Sequence, residues 1–199
     1  MKQRSLALLL GLVMLFALAA CGTSRPSAQS VAEDAIKALQ KADLNAMQET
    51  WDETMIEEDV FEDEQAQILL NALTKNLTYK VLSAEENESD GTAVVSMEFT
   101  NVDMAPAIED AFQEIFQKAL SSAFQGGQEP TEEEMIKTLV QAITDAANQE
   151  NAKMITLSAE VPLELVEDQW QIQPDDAILD AMFGGILTAM EAMGEALTE

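Results

Sequence analysis

Histidine is absent from this chain of 199 residues, cysteine and tyrosine occur once each, and only 10 basic residues face 37 acidic ones. Each scarcity removes a class of chemistry. Without histidine there is no Ser-His-Asp or Cys-His catalysis, no imidazole-bound zinc or iron, and no imidazole pH switch. A lone cysteine forms no disulfide within the chain and supplies no cysteine cluster for a metal. No glycine-rich phosphate loop of the Walker type occurs. The formal charge of −27 repels nucleic acid and anionic lipid headgroups, so neither is an expected partner. Its acids are spread along the chain, as on a solvated surface. Beyond the first twenty residues, no apolar run reaches the ~18 residues of a membrane span.

What is present begins at the N-terminus. Lys2 and Arg4 form a basic region, and Leu6 to Ala20 form an apolar run like the core of a secretory signal. Leu18-Ala19-Ala20-Cys21, followed by Gly22, closes it. This resembles the lipobox of bacterial lipoproteins, those of Gram-positive organisms in particular. The resemblance implies that the Cys21 thiol is diacylglycerylated, that signal peptidase II cuts after Ala20, and that the mature chain starts at Cys21. It also implies anchoring by lipid to the outer face of the cytoplasmic membrane. Loss of residues 1–20 leaves 179 of 199 residues, the size of one domain, with eight basic side chains against 37 acidic ones, a charge of −29. Residues 21–29, with Pro26 and two serines, read as a polar tether reaching at most ~30 Å.

Residues 30–199 then read as a single acidic domain. Ser30 and Glu33 have capping-box spacing, which predicts a helix from Val31 to about Lys41. Asp43 caps a short helix through Leu44, Met47 and Trp51, and a third runs from about Glu62 to Asn76 with Ala66, Leu69, Leu70 and Leu73 inward. Alternation then predicts strands over Leu77–Ala84 and Thr92–Val102, with Ser89-Asp90-Gly91 turning between them. Helical spacing resumes over Met104–Gln125. Gly126-Gly127 ends it, and Thr131 with Glu134 caps a second helix carrying Met135, Ile136, Leu139, Val140 and Ile143. The two form a helical hairpin inserted at about 104–150. Lys153–Val166 reads as a strand, and Asp168–Ile172 as a turn into a final short one. After Pro174, Asp175-Asp176 opens one amphipathic C-terminal helix containing Ile178, Met182, Ile186, Met190, Met193 and Leu197.

The expected class is α+β: helices packed on a curved antiparallel sheet of about four strands. The opening helices, the hairpin and Gln169-Trp170-Gln171-Ile172 resemble small Gram-positive lipoproteins of unknown function with a cystatin-like or nuclear-transport-factor-two-like fold. The resemblance implies long helices against a curved sheet, with a concave pocket.

Five candidate sites stand out. Glu57-Glu58-Asp59 with Glu62-Asp63-Glu64 is acidic but lacks the glycine of a cation-binding turn, and reads as a solvated helix start. Glu86-x-Glu88-x-Asp90-Gly91 follows the first half of an EF-hand loop, yet Met97 stands where the bidentate Glu belongs, so a hairpin turn is the better reading. Tyr79 with Glu98 or Glu160 would give a base and an oxyanion donor of the ketosteroid-isomerase kind if they converged. Met182, Ile186, Met190 and Met193, beside Gly184 and Gly185, make a soft apolar face suited either to the core or to a partner. Trp51 and Trp170 are either core or a platform for a ligand ring.

The function expected on these grounds is a membrane-anchored binding or protein-interaction module without enzymatic activity or cofactor. Its partners would be membrane lipid through acylated Cys21 and a membrane-proximal protein. The alternatives are a carrier of a small apolar ligand or peptide, and an isomerase-type pocket enzyme. Replacing Cys21 with Ser is expected to abolish incorporation of labelled palmitate and leave an uncut precursor on gels; undiminished labelling would sink the anchor.

Overall fold

A computed structural model of the chain describes residues 25–52, 64–125 and 128–196. The lipobox residues Leu18 to Cys21, and all of the first acidic cluster except Glu64, lie outside them. Seven helices and four strands follow in the described residues: α1 (Ala28–Lys41), α2 (Leu44–Thr50), α3 (Glu64–Thr74), β1 (Thr78–Asn87), β2 (Thr92–Val102), α4 (Ala105–Gln125), α5 (Glu132–Asn148), β3 (Met154–Val166), β4 (Gln169–Ile172), α6 (Asp176–Met182) and α7 (Ile186–Ala196). The strands form one antiparallel sheet in the order β1-β2-β3-β4, which makes the protein α+β as its sequence suggests.

Side-chain alternation decides what each sheet face does. Val95, Met97 and Phe99 of β2 share a face with Val161 and Leu163 of β3 and Trp170 and Ile172 of β4. All seven are buried under α1 and α6. On α1 the contact row is Ala28, Ala32, Ala35, Ile36 and Leu39, and its three alanines, each fully buried, bring the helix close to the sheet. The opposite sheet face is polar, with Thr78, Lys80, Glu98, Thr156, Ser158 and Glu160. Thr100 and Thr156 share a 2.7 Å hydroxyl hydrogen bond there, and Lys80 lies 3.7 Å from Glu98. A register shift between Val81 and Ser83 bulges β1, one of the two outer strands of the sheet.

The first helix starts earlier than the capping-box spacing predicts. Ser27 is its N-cap and accepts a hydrogen bond from the Ser30 amide, so Ala28 and Gln29 are helical, not tether. The reason is non-local. The Ala28 amide donates to the Glu86 carboxylate of β1 at 2.7 Å. The Arg25 guanidinium donates to Asp168 at 2.9 Å, lies 3.6 Å from Glu88, and stacks 5.2 Å above the Trp170 ring. The start of the helix is thus buckled to the end of the sheet.

A second core sits at the other end of β2, where Met104, Ile108, Ile143, Ala147, Leu73 and Ile186 meet. Asn101 joins it to the sheet. Fully buried, Asn101 donates from its amide to the Leu73 carbonyl (2.7 Å) and the Met182 carbonyl (2.8 Å), and its oxygen accepts the Val102 N–H (2.8 Å). It therefore ties the last turns of α3 and α6 to β2.

Just beyond Met182 the expected single C-terminal helix breaks into α6 and α7, which meet at a bend of 113°. Gly184 and Gly185 sit at φ +69° and +79°, and a Cβ on Gly184 would stand 1.9 Å from the Val102 carbonyl oxygen. The Gly184 carbonyl in turn accepts from the Met104 amide at 3.0 Å. Close backbone approach, which only glycine permits, overrides the helical periodicity.

Thr131 and Glu134 form the reciprocal capping box that their spacing predicts, at 3.3 and 2.9 Å. In the resulting hairpin α5 packs on α3 and α4 packs on α7, so helices rather than strands hold it. Among the described residues no single helix is long and apolar enough to cross a membrane.

Asn101→Leu is expected to lower unfolding free energy by about 2–4 kcal/mol, because buried carbonyls lose their donor. Gly184→Ala should cost about 2 kcal/mol or more from strain and clash. Thr156→Val on the open face should stay within about 0.5 kcal/mol. Urea unfolding of the three variants checks this order.

Candidate functional site

The helical hairpin carries more apolar surface than its packing uses. On α4, Ile108 and the partly buried Phe112 sit in the second core with Ile143 of α5. The same helical row continues outward through Phe116, Leu120 and Phe124, four residues apart and so on one face. These are 57%, 46% and 82% exposed. Ile136 on α5 and Met190 on α7 are likewise open. Phe124 lies in the last turn of α4, eight residues before Glu132, which with Glu133 and Glu134 forms the acidic first turn of α5.

The other side of the hairpin is an open cleft of about 810 Å³ between α4 and α5. Its walls are Ala107, Ile115, Met135 and Ala142, and its rim is charged. Two of the rim lysines are engaged: Lys118 lies 2.6 Å from Glu114, and Lys153 lies 2.7 Å from the largely buried Asp103. Asp103 also accepts the Ala105 amide at 3.2 Å, holding the first turn of α4. The cleft is thus an open, charged seam with the Lys153–Asp103 pair at its root.

The methionine face expected over 182–193 divides. Met182 and Ile186 are core residues at 0% and 7% exposure, which corrects their assignment to a partner surface. The glycine bend turns Met182 under the sheet and Ile186 into the second core. Met190 stays open and Met193 half-buried, so only the outer end of that face is available.

Tyr79 does not meet Glu98 or Glu160. It pairs with Phe99 on the inner sheet face, whereas Glu98 pairs with Lys80 and Glu160 with Ser96 on the outer one. Strand alternation separates them. Burial raises the Tyr79 pKa; the nearby carboxylates of Glu33 and Asp34 add to this, and Lys37 partly offsets it. Lys37 is itself held above its usual value by its hydrogen bond to Asp34.

Both tryptophans are core residues. Trp51, 3% exposed, donates to the Ala35 carbonyl at 3.3 Å, and Trp170, 1% exposed, lies beneath Arg25. The Trp170 indole N–H has no acceptor among the described residues. In the segment from Glu86 to Gly91 the carboxylates do not converge: Glu86 holds the start of α1, Glu88 faces Arg25, and Asp90 accepts from Asn87 at 2.6 Å within a turn completed by Gly91 at φ +66°. That segment is the hairpin turn its sequence suggests.

The Phe116-Leu120-Phe124 row is the feature that helical spacing alone does not single out. A signal was present. Helical spacing gives α4 one wide apolar face through Ile108, Ala111, Phe112, Ile115, Phe116, Ala119, Leu120 and Ala123. The second core takes only its first turns, and Phe116 and Leu120 are left open.

Neither a protein-family model nor a curated protein matches this chain. Among solved structures, the chain is similar to a candidate lipoprotein of Bacillus subtilis, YcdA, with a TM-score of 0.34 and 15% identity. The match takes in 77% of this chain and 45% of that one, so the chain spans under half of its neighbour's length.

Tyr79 is the only tyrosine, so its ionisation can be followed at 295 nm without overlap. The midpoint is expected above the ordinary value of 10.0 in the folded protein and at that value in urea. Because the folded pKa is the raised one, the associated stability is fully present below pH ~10 and is lost as pH climbs through the folded midpoint. A native midpoint at or below the urea value would contradict the burial.

Proposed function

We propose that this protein is an extracytoplasmic lipoprotein, anchored to the outer face of the cytoplasmic membrane through acylated Cys21, that works as a non-enzymatic protein-interaction module. Its contact surface is the open apolar row of the helical hairpin. The observation that carries this reading is that row itself: Phe116, Leu120 and Phe124, 57%, 46% and 82% exposed, continue a core stripe into solvent on an otherwise strongly acidic protein. Large apolar side chains grouped on one surface mark contact sites.

The anchor geometry supports the same reading. With Arg25 fastened to Asp168, only Gly22, Thr23 and Ser24 separate it from the lipidated residue, and four extended steps reach at most ~14 Å. This is half the reach suggested by a tether running to Gln29. The sheet end bearing the Asn87–Gly91 turn and Asp168 would then sit beside the headgroups. The hairpin is rooted at the other end of the eleven-residue β2, ten steps or ~33 Å away at 3.3 Å per residue. The carrier reading draws no comparable support, since the hairpin cleft is open and rimmed with charge, whereas ligand carriers enclose apolar cavities.

A photo-crosslinking residue at position 120 is expected to capture a discrete membrane-associated protein in the native envelope. The same residue at position 158, on the open sheet face, should not. Phe116→Ser/Phe124→Ser should abolish the crosslink and leave stability within about 0.5 kcal/mol. Equal crosslinking from both positions, or a large loss of stability in the double variant, would refute the surface.

A further inference from the structure

We infer that the partner presents an amphipathic helical segment whose apolar ridge is flanked by lysine or arginine. This rests on the hairpin row being the contact surface, and it specifies what fits there.

The charge around the row is the first argument. Residues 105–148 contain eight acidic side chains and two basic ones, a charge of −6. Lys118 is already paired with Glu114. Acids bracket the open row at both ends. Glu109 stands two turns before Phe116 on the same face of α4. Glu132 and Glu133 stand one turn before Ile136 on α5. All three are exposed, and no described basic residue forms a salt bridge with any of them. A cationic flank would neutralise them while the ridge covers the phenylalanines.

Other occupants fit less well. A second copy would set −6 against −6 around one symmetric patch. An anionic bilayer would meet the same repulsion.

The shape of the row is the second argument. Phe116 to Phe124 is eight residue steps along α4, ~12 Å of helix at 1.5 Å per residue. Anchors spaced four apart suit a partner helix offering two turns of ridge, the helix-in-groove mode of recognition.

The test uses the full lipidated chain in zwitterionic nanodiscs, with empty discs as the blank. The probes are fluorescent peptides of about five helical turns: an amphipathic Lys/Leu sequence, a Glu/Leu sequence with the same leucine ridge, and the Lys/Leu composition scrambled. The ordered Lys/Leu peptide is expected to bind, more weakly as salt rises. Phe116→Ser/Phe124→Ser should weaken it about tenfold or more. Glu132→Gln/Glu133→Gln should weaken it several-fold and flatten its salt dependence.

Equal binding of the Glu/Leu peptide would overturn the cationic assignment and leave the apolar surface standing. Equal binding of the scrambled peptide would overturn the ridge. Full binding by the Phe116/Phe124 variant would remove the surface reading itself. Concentration-dependent dimers in sedimentation, abolished by that variant, would assign the row to a second copy and overturn the inference.

Discussion

One buried side chain holds the two halves of this protein together. Asn101 is the last residue but one of β2, where the sheet core stops and the helical core begins, and its amide serves carbonyls at the ends of α3 and α6. Helix C-termini leave carbonyls without partners, and burying them unpaired is costly. A single carboxamide meets both ends, and its own oxygen is satisfied by the following amide. The glycine bend depends on this junction, because Gly184 must pass against the Val102 carbonyl one residue further along. So does the hairpin, whose first helix starts where the Gly184 carbonyl receives the Met104 amide.

From that junction the two cores behave differently. The sheet core is closed: α1 and α6 cover its inner face, and its large side chains are excluded from water. The helical core is closed only near its root. Further out, α4 and α5 have each other and little else, and the apolar row that served the core continues after the core has ended. A long stiff helix makes this cheap, since each added turn satisfies its own backbone without needing neighbours.

The strands and the hairpin were legible in the sequence because their signals are local. Alternation from Thr92 to Val102, the turn at Ser89-Asp90-Gly91, and the Thr131/Glu134 box each lie within a few residues of what they determine. The misses share the opposite property. The first helix begins at Ser27 because Glu86, 58 residues away, receives the Ala28 amide. The C-terminal helix breaks because of a backbone contact with Val102. Tyr79 and Glu98 looked compatible until pairing placed them on opposite faces, and sequence spacing cannot give a register. The open row on α4 is part of one wide apolar face in the sequence, and which part of that face is left uncovered depends on how α3, α5 and α7 are arranged.

The bulge in β1 has a bearing on how copies of the protein behave at close quarters. A ten-residue outer strand offers a template onto which another strand could add, the usual start of edge-to-edge aggregation. The irregularity at Val81–Ser83 interrupts that template, while Lys80 to one side and Glu85 and Glu86 to the other set charge along it. Zippering of sheets is thereby discouraged. Copies brought together at high concentration meet a broken, charged edge along β1 in place of a continuous one.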